Sequence, residues 1–188
     1  GHGGRRARRR PPRVSRAGRP AVFLDRDGTI IEDVGYLGDP ERMRLLPDAA
    51  EAIARLNRAG LLAVVVTNQS GIARGLFDEK AYEATRVRLD RLLADQGARL
   101  DAQYHCPHHP ELSGPCECRK PGLLLYRRAA EDLGIDLPAS WWVGDRRRDV
   151  QPATALGGRG IVLGQAPSAP FLAAPDLAAA VTGILASR

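Results

Sequence analysis

Two aspartates flank one arginine in AVFLDRDGT, where an apolar run from Ala21 to Leu24 stops abruptly in charge. In extended backbone, residues i and i+2 point to one side, so Asp25 and Asp27 can share a pocket. Carboxylates that close repel, and they call for a cation between them or a shared proton. SWWVGDRRRD repeats the pattern: an apolar run delivers Asp145, and Asp149 follows. Together these acids suit a hard, oxygen-liganded ion such as Mg²⁺. LLAVVVTNQSG ends in Thr67, Asn68, Gln69 and Ser70, whose hydroxyl, amide and backbone donors can cradle phosphate oxygens, and Lys120 adds a compact positive charge. Acids, a divalent cation, hydroxyl donors and a lysine are what phosphoryl transfer requires, because its catalysis is mostly positioning and charge neutralisation. Each piece alone reads as a turn, a loop or a helix cap. Their succession, each directly after an apolar run, carries the reading.

HCPHHPELSGPCECRKPG, residues 105–122, holds all three cysteines of the chain and three of its four histidines. Three cysteines cannot pair completely, and C-x-C spacing suits a metal better than disulfides, which points to a reducing, cytoplasmic setting. Cys106, His108, Cys116 and Cys118 form C-x-H, a seven-residue gap, then C-x-C. Four such ligands close a tetrahedral Zn²⁺ site with no open position, which is a structural site rather than a catalytic one. His109 is the alternative histidine ligand, and His105 belongs to the strand before the loop.

Alternating elements must position these groups. The periodicity predicts strands at Ala21–Leu24, Leu61–Thr67, Asp101–His105, Ser140–Asp145 and around RGIVLG. Helices are predicted over 47–60, from an Asp78 cap to about Gln96, over 122–133, over 149–157 and over 175–186. In the second helix Tyr82, Val87, Leu89 and Leu92 are expected to supply the apolar side. Strand and helix alternate throughout, so the expected fold class is α/β, a Rossmann-like doubly wound parallel sheet with helices on both faces. Ligands in such folds bind beyond the carboxyl ends of the strands, where DRDGT, TNQSG and GDRRRD should converge.

Composition bounds the rest. The chain of 188 residues is 44% hydrophobic and 27% charged, the profile of one globular domain, and its apolar runs fall far short of the roughly 20 residues a membrane span needs. Its net charge of +6 is uneven: residues 1–20 hold eight arginines and no acid, leaving −2 for the remainder. That leader is expected to be a disordered, solvated tail, with residues 21–166 as the domain and 167–188 as a helical tail packed on it. With a mildly acidic body and few aromatics, neither nucleic acid nor membrane is expected as a partner, and a monomer is.

DRDGT, TNQSG, RKP and GDRRRD resemble the four motifs of the haloacid dehalogenase superfamily of phosphatases. The nearer resemblance, marked by C-x-H…C-x-C-R-K-P, is to its D,D-heptose 1,7-bisphosphate phosphatase branch, with histidinol-phosphate phosphatase domains as near relatives. It spans about residues 21–165. The resemblance implies a HAD-type fold in which Asp25 is the nucleophile forming an aspartyl-phosphate and Asp27 the general acid and base. It implies Mg²⁺ held by Asp25, the backbone carbonyl of Asp27, and Asp145, with Thr67 and Lys120 stabilising the phosphoryl group. It implies substrate contacts from Asp33, Val34, Gly35, Tyr36, Thr67, Asn68, Gln69, Ser70, Arg119, Lys120 and Arg146. Only 42 residues separate Asp25 from Thr67 and 53 separate Thr67 from Lys120, which leaves no room for a cap domain. The substrate pocket must then be built by loops, and a sugar bisphosphate is the expected substrate, its second phosphate met by Arg119 and Arg146, less strongly by Arg74. Histidinol-phosphate hydrolysis and a nucleic-acid-end phosphatase or binder are the alternatives. Arg147 and Arg148 read as solvated helix-face charges, and the role of Asp149 stays open between metal support and orientation of Lys120.

Overall fold

The computed structural model describes residues 18–188; the expectation of a disordered leader concerns residues that lie, except for the last three, outside this range. Six strands form one parallel sheet: β1 (Ala21–Leu24), β2 (Leu62–Asn68), β3 (Ala102–Cys106), β4 (Trp141–Gly144), β5 (Arg159–Leu163) and β6 (Leu172–Ala174). Their spatial order is β3-β2-β1-β4-β5-β6. The winding reverses between β1 and β4, the switch point at which doubly wound sheets open a crevice. There Asp25 N–H donates to the Val143 carbonyl at 3.0 Å, so the two acid-bearing strand ends lie side by side.

Strand β1 shows why an unbroken apolar run is needed. Val22 and Leu24 face one core with α1 (Ala49–Arg58), α2 (Glu79–Ala94) and α7 (Leu177–Ala186), whereas Ala21 and Phe23 face another. The second core is built with α4 (Leu124–Leu133), α5 (Arg147–Val150) and α6 (Pro152–Leu156), and Phe23 meets Tyr126 edge-on at 5.1 Å between centroids. Both faces are covered, and alternation disappears. Asp78 caps α2, accepting from Ala81 N–H at 2.8 Å, as its sequence position suggests.

Several elements depart from expectation. Helix α2 buries Tyr82, Thr85, Leu89 and Leu93, while Val87 is exposed, so the buried stripe is shifted toward a polar Thr85 that has a partner inside. The segment expected as one helix over 149–157 is two, because Pro152 has no N–H with which to continue α5. Residues 167–188 are more than a helical tail: β6 extends the sheet beside β5 before α7 packs on α1. A short helix, α3 (Pro110–Ser113), lies inside the Cys/His loop. Among the described residues no cap domain is inserted between strands, and no helix is long and apolar enough to cross a membrane.

Candidate active site

One cleft at the carboxyl ends of the strands gathers Asp25, Asp27, Asp33, Gly35, Tyr36, Thr67, Asn68, Gln69, Ser70, Arg119, Lys120, Asp145, Arg146 and Asp149. Val34 is set apart from them: it packs against the core beneath the loop, as its apolar side chain dictates. The cleft also takes in Gly71, Arg74, His109 and Arg148. Arg148, exposed on α5 as expected, also borders this cleft, whereas Arg147 turns away to Ser168 and the Phe171 ring. The direction of each arginine in RRRD depends on where the short α5 begins, which the run itself does not disclose.

Lys120 lies at the bottom of the cleft, fully buried. Its three ammonium hydrogens meet three oxygens: Asp25 Oδ1 at 2.7 Å, Asp149 Oδ1 at 2.8 Å and the Val66 carbonyl at 2.8 Å. Burial alone would lower its pKa, but attraction from Asp25 and Asp149 outweighs that and raises it. The other Asp149 oxygen accepts the Arg146 N–H at 2.9 Å. With both oxygens occupied, Asp149 orients Lys120 and caps α5. Asn68 pins the same loop, its Oδ1 accepting the Lys120 N–H at 2.9 Å.

Asp25, Asp145 and Asp149 each bring a carboxylate oxygen within 4.8 Å of the others. The Asp145 carboxyl is pushed up to about 6 by burial and by the charges of Asp25 and Asp149, against the pull of Arg146. The site thus holds more negative charge than Lys120 neutralises, and hard oxygens of this kind fit Mg²⁺. Gly28 admits Asp145 to this cluster: it turns at φ +80°, and a Cβ there would sit 2.6 Å from Asp145 Oδ2. Asp27 stands apart from the cluster. Its carboxylate is held by Gln69 and by Arg26, a residue with no role among the sequence expectations.

The cysteine loop folds over the cleft's side. Cys118 Sγ lies 3.0 Å from Cys106 Sγ, 3.5 Å from Cys116 Sγ and 3.1 Å from His108 Nδ1, while Cys106 is 3.7 Å from both Cys116 and His108. A tetrahedron of ligands about 2.3 Å from zinc has edges near these lengths. His108 occupies the fourth corner; His109 instead faces Arg74, Nε2 to Nη2 at 2.9 Å. His105 lies in β3, paired with Glu79 at 2.9 Å. The His108 carbonyl accepts from Arg119 Nη1 at 3.1 Å, and Gln69 N–H donates to the Cys106 carbonyl at 2.8 Å. The metal-suited cluster is thereby wired to both sides of the cleft.

The HAD-hydrolase-like family profile matches residues 117–179. A D-glycero-beta-D-manno-heptose-1,7-bisphosphate 7-phosphatase of Photorhabdus laumondii is 46% identical over 142 residues, 73% of this chain and 76% of that protein. The chain belongs to the heptose-bisphosphate phosphatase family. The Escherichia coli K12 family member of the same description is 46% identical over 143 residues, covering 72% and 74% of the two chains. Among solved structures, a D,D-heptose 1,7-bisphosphate phosphatase from B. bronchiseptica, complexed with magnesium and phosphate, superposes with a TM-score of 0.82 at 34% identity, over 90% of this chain and 99% of that one. A HAD-like phosphatase from Mesorhizobium loti gives 0.83 at 37%, over 95% and 90%. As a member of this family the protein is a phosphoric monoester hydrolase of HAD-type fold.

Proposed function

We propose that the protein removes the 7-phosphate of D-glycero-D-manno-heptose 1,7-bisphosphate in a Mg²⁺-dependent reaction through an aspartyl-phosphate on Asp25. The observation that carries this reading is the pairing of an acidic, lysine-centred floor with a basic rim of Arg74, Arg119, Arg146 and Arg148 in one uncapped cleft. The floor suits the phosphate that is cut, and the rim suits a second one that is kept. The relatives' names point to the same substrate. A carboxylate nucleophile divides hydrolysis into two easier displacements. Asp25 attacks phosphorus, Asp27 gives its proton to the departing sugar oxygen, and Asp27 then takes a proton from the water that cleaves the acyl-phosphate. Thr67 and Lys120 hold the phosphoryl oxygens. Mg²⁺ bound by Asp25, the Asp27 carbonyl and Asp145 would offset repulsion between the anionic nucleophile and the anionic phosphate.

A panel of sugar mono- and bisphosphates with histidinol phosphate, assayed with Mg²⁺, tests the substrate. A hydrogen-bonded charge on the second phosphate is worth about 1.5–3 kcal/mol, so kcat/KM for the heptose bisphosphate should exceed that for a matched monophosphate by roughly 10–100-fold. A monophosphate or histidinol phosphate turned over as well as the bisphosphate would overturn it.

Zinc in the Cys₃His cluster has a structural part in this proposal, matching thiols kept reduced in a cytoplasmic setting. Stripping zinc and restoring Mg²⁺ should raise KM, because Arg119 and Lys120 lose their support, while turnover stays Mg²⁺-dependent. A loss of about 3 kcal/mol would lower Tm by about 6–12 °C in a domain of this size. Unchanged KM and Tm after confirmed zinc removal would refute the role.

A further inference from the structure

We propose that Arg26 is a positioning residue that clamps Asp27 so that a single lone pair, on Oδ1, remains to carry the travelling proton. The inference rests on the phosphatase reading above, but on Asp27 as proton carrier rather than on any particular sugar. Arg26 is 1% exposed although it stands between two aspartates. Its Nε donates to Asp27 Oδ2 at 2.9 Å and its Nη2 to Oδ1 at 3.1 Å, a two-pronged fork. Gln69 Nε2 donates to Oδ2 at 3.0 Å and also reaches Thr67 Oγ1 at 2.9 Å. An ionised carboxylate has about four lone-pair positions. Both on Oδ2 and one on Oδ1 are occupied, which leaves one.

The clamp is itself anchored in the scaffold. Nη1 of Arg26 donates to Thr85 Oγ1 at 3.0 Å, and Thr85 in turn donates to the Tyr82 carbonyl at 2.7 Å, one turn back along α2. The guanidinium carbon lies 5.5 Å from the centroid of the Tyr82 ring, which also packs on His105 at 4.1 Å between centroids. The shift of the α2 stripe toward Thr85 thus has a purpose in the site. A buried charge must be paired, and among the described residues the salt-bridge partner of Arg26 is Asp27. Arginine keeps its proton throughout the cycle, so the clamp cannot compete for the one that moves.

The proton count follows. In the first step the Asp25 oxygen–phosphorus bond forms, the bond from phosphorus to the sugar oxygen breaks, and the proton on Asp27 Oδ1 passes to that oxygen. In the second, a water oxygen bonds to phosphorus, the acyl-phosphate bond breaks, and the water's proton returns to Oδ1. Ester and water become alcohol and phosphate, with Asp27 restored. The fork is fully engaged when Asp27 is anionic, between the two steps.

Leaving-group dependence separates positioning from mere structure, because p-nitrophenolate departs without a proton whereas a sugar alkoxide requires one. Full-length Arg26→Met, Thr85→Val and Asp27→Asn are compared with wild type in Mg²⁺, using p-nitrophenyl phosphate and the best sugar phosphate of the panel. For Arg26→Met, kcat on the sugar phosphate should fall roughly 10²-fold with KM little changed, while the p-nitrophenolate burst stays within about threefold of wild type, the pattern of a lost general acid. Thr85→Val, which removes both hydrogen bonds of the Thr85 hydroxyl, should show the same selectivity at about 3–10-fold. Equal losses on both substrates, or none, in folded Arg26→Met would overturn the proposal; should that variant not fold, the same outcomes in Thr85→Val decide it. Asp27→Asn marks the boundary. If it lacks the leaving-group selectivity, the proton-carrier reading itself fails; if it has the selectivity and the Arg26 and Thr85 variants do not, the clamp alone fails.

Discussion

Asp25→Asn should reduce phosphate-monoester turnover to background and leave a folded protein. The amide keeps the shape of the side chain but is no nucleophile, and loss of a nucleophile from a cooperating set costs on the order of 10⁶ in kcat. The fold should tolerate the change because Lys120 keeps Asp149 and the Val66 carbonyl as partners. Repulsion also falls, since the Asp25 charge helps to hold both Asp145 and Asp149 above the usual carboxylate range, after burial itself. Inorganic phosphate should therefore bind the variant at least as well as wild type, measured by calorimetry with Mg²⁺ present. Initial turnover at the wild-type rate would sink the covalent mechanism. Lost turnover together with lost phosphate binding would show that Asp25 builds the cradle rather than attacks.

Much of this site could be read in the sequence because parallel strands buried on both faces leave apolar runs that end where the cleft begins. Asp25, Thr67 and Asp145 each follow such a run, and the switch point between β1 and β4 brings two of the three ends together. The Cys₃His cluster was legible for another reason: a group that could hold a metal tetrahedrally needs short, fixed spacings, and Cys106, His108, Cys116 and Cys118 have them. What stayed hidden depends on side-chain direction or on edges. Arg26 is only the residue between two aspartates until α2 is known to lay Thr85 and Tyr82 over it. Arg148 and Arg147 are neighbours in a uniform run, yet one lines the cleft and the other stacks over Phe171. Strand β6 has three residues at the sheet's edge, with Leu172 exposed, and its short apolar run is closed in by Pro170 and Pro175, so it reads as a connection rather than as a strand.

Lys120→Met should be the most damaging single change to stability and activity together. Methionine fills most of the lysine stem's volume, so the variant deletes the charge with little cavity. What it leaves is Asp25 and Asp149 facing one another, beside Asp145, without the ammonium that all three wild-type hydrogen bonds serve. Removing one member of a buried ion pair costs about 3–5 kcal/mol, because the partner's charge is stranded. The loss should depend on pH in a defined direction. Asp145 and Asp149 already have raised carboxyl pKa values in the native state, through burial first and then the neighbouring aspartates, and Lys120 is what restrains Asp149. Without it Asp149 rises further, so the native state binds protons that the unfolded chain releases, and stability falls as pH climbs through the native pKa. Thermal melts should place Lys120→Met nearest to wild type near pH 5 and furthest from it at pH 8. Activity should not recover at the low pH, since a protonated Asp149 restores packing but not the cation that faces the phosphoryl group. A melting curve displaced equally at both pH values would show that Lys120 acts as packing rather than as the charge at the centre of the acidic cluster.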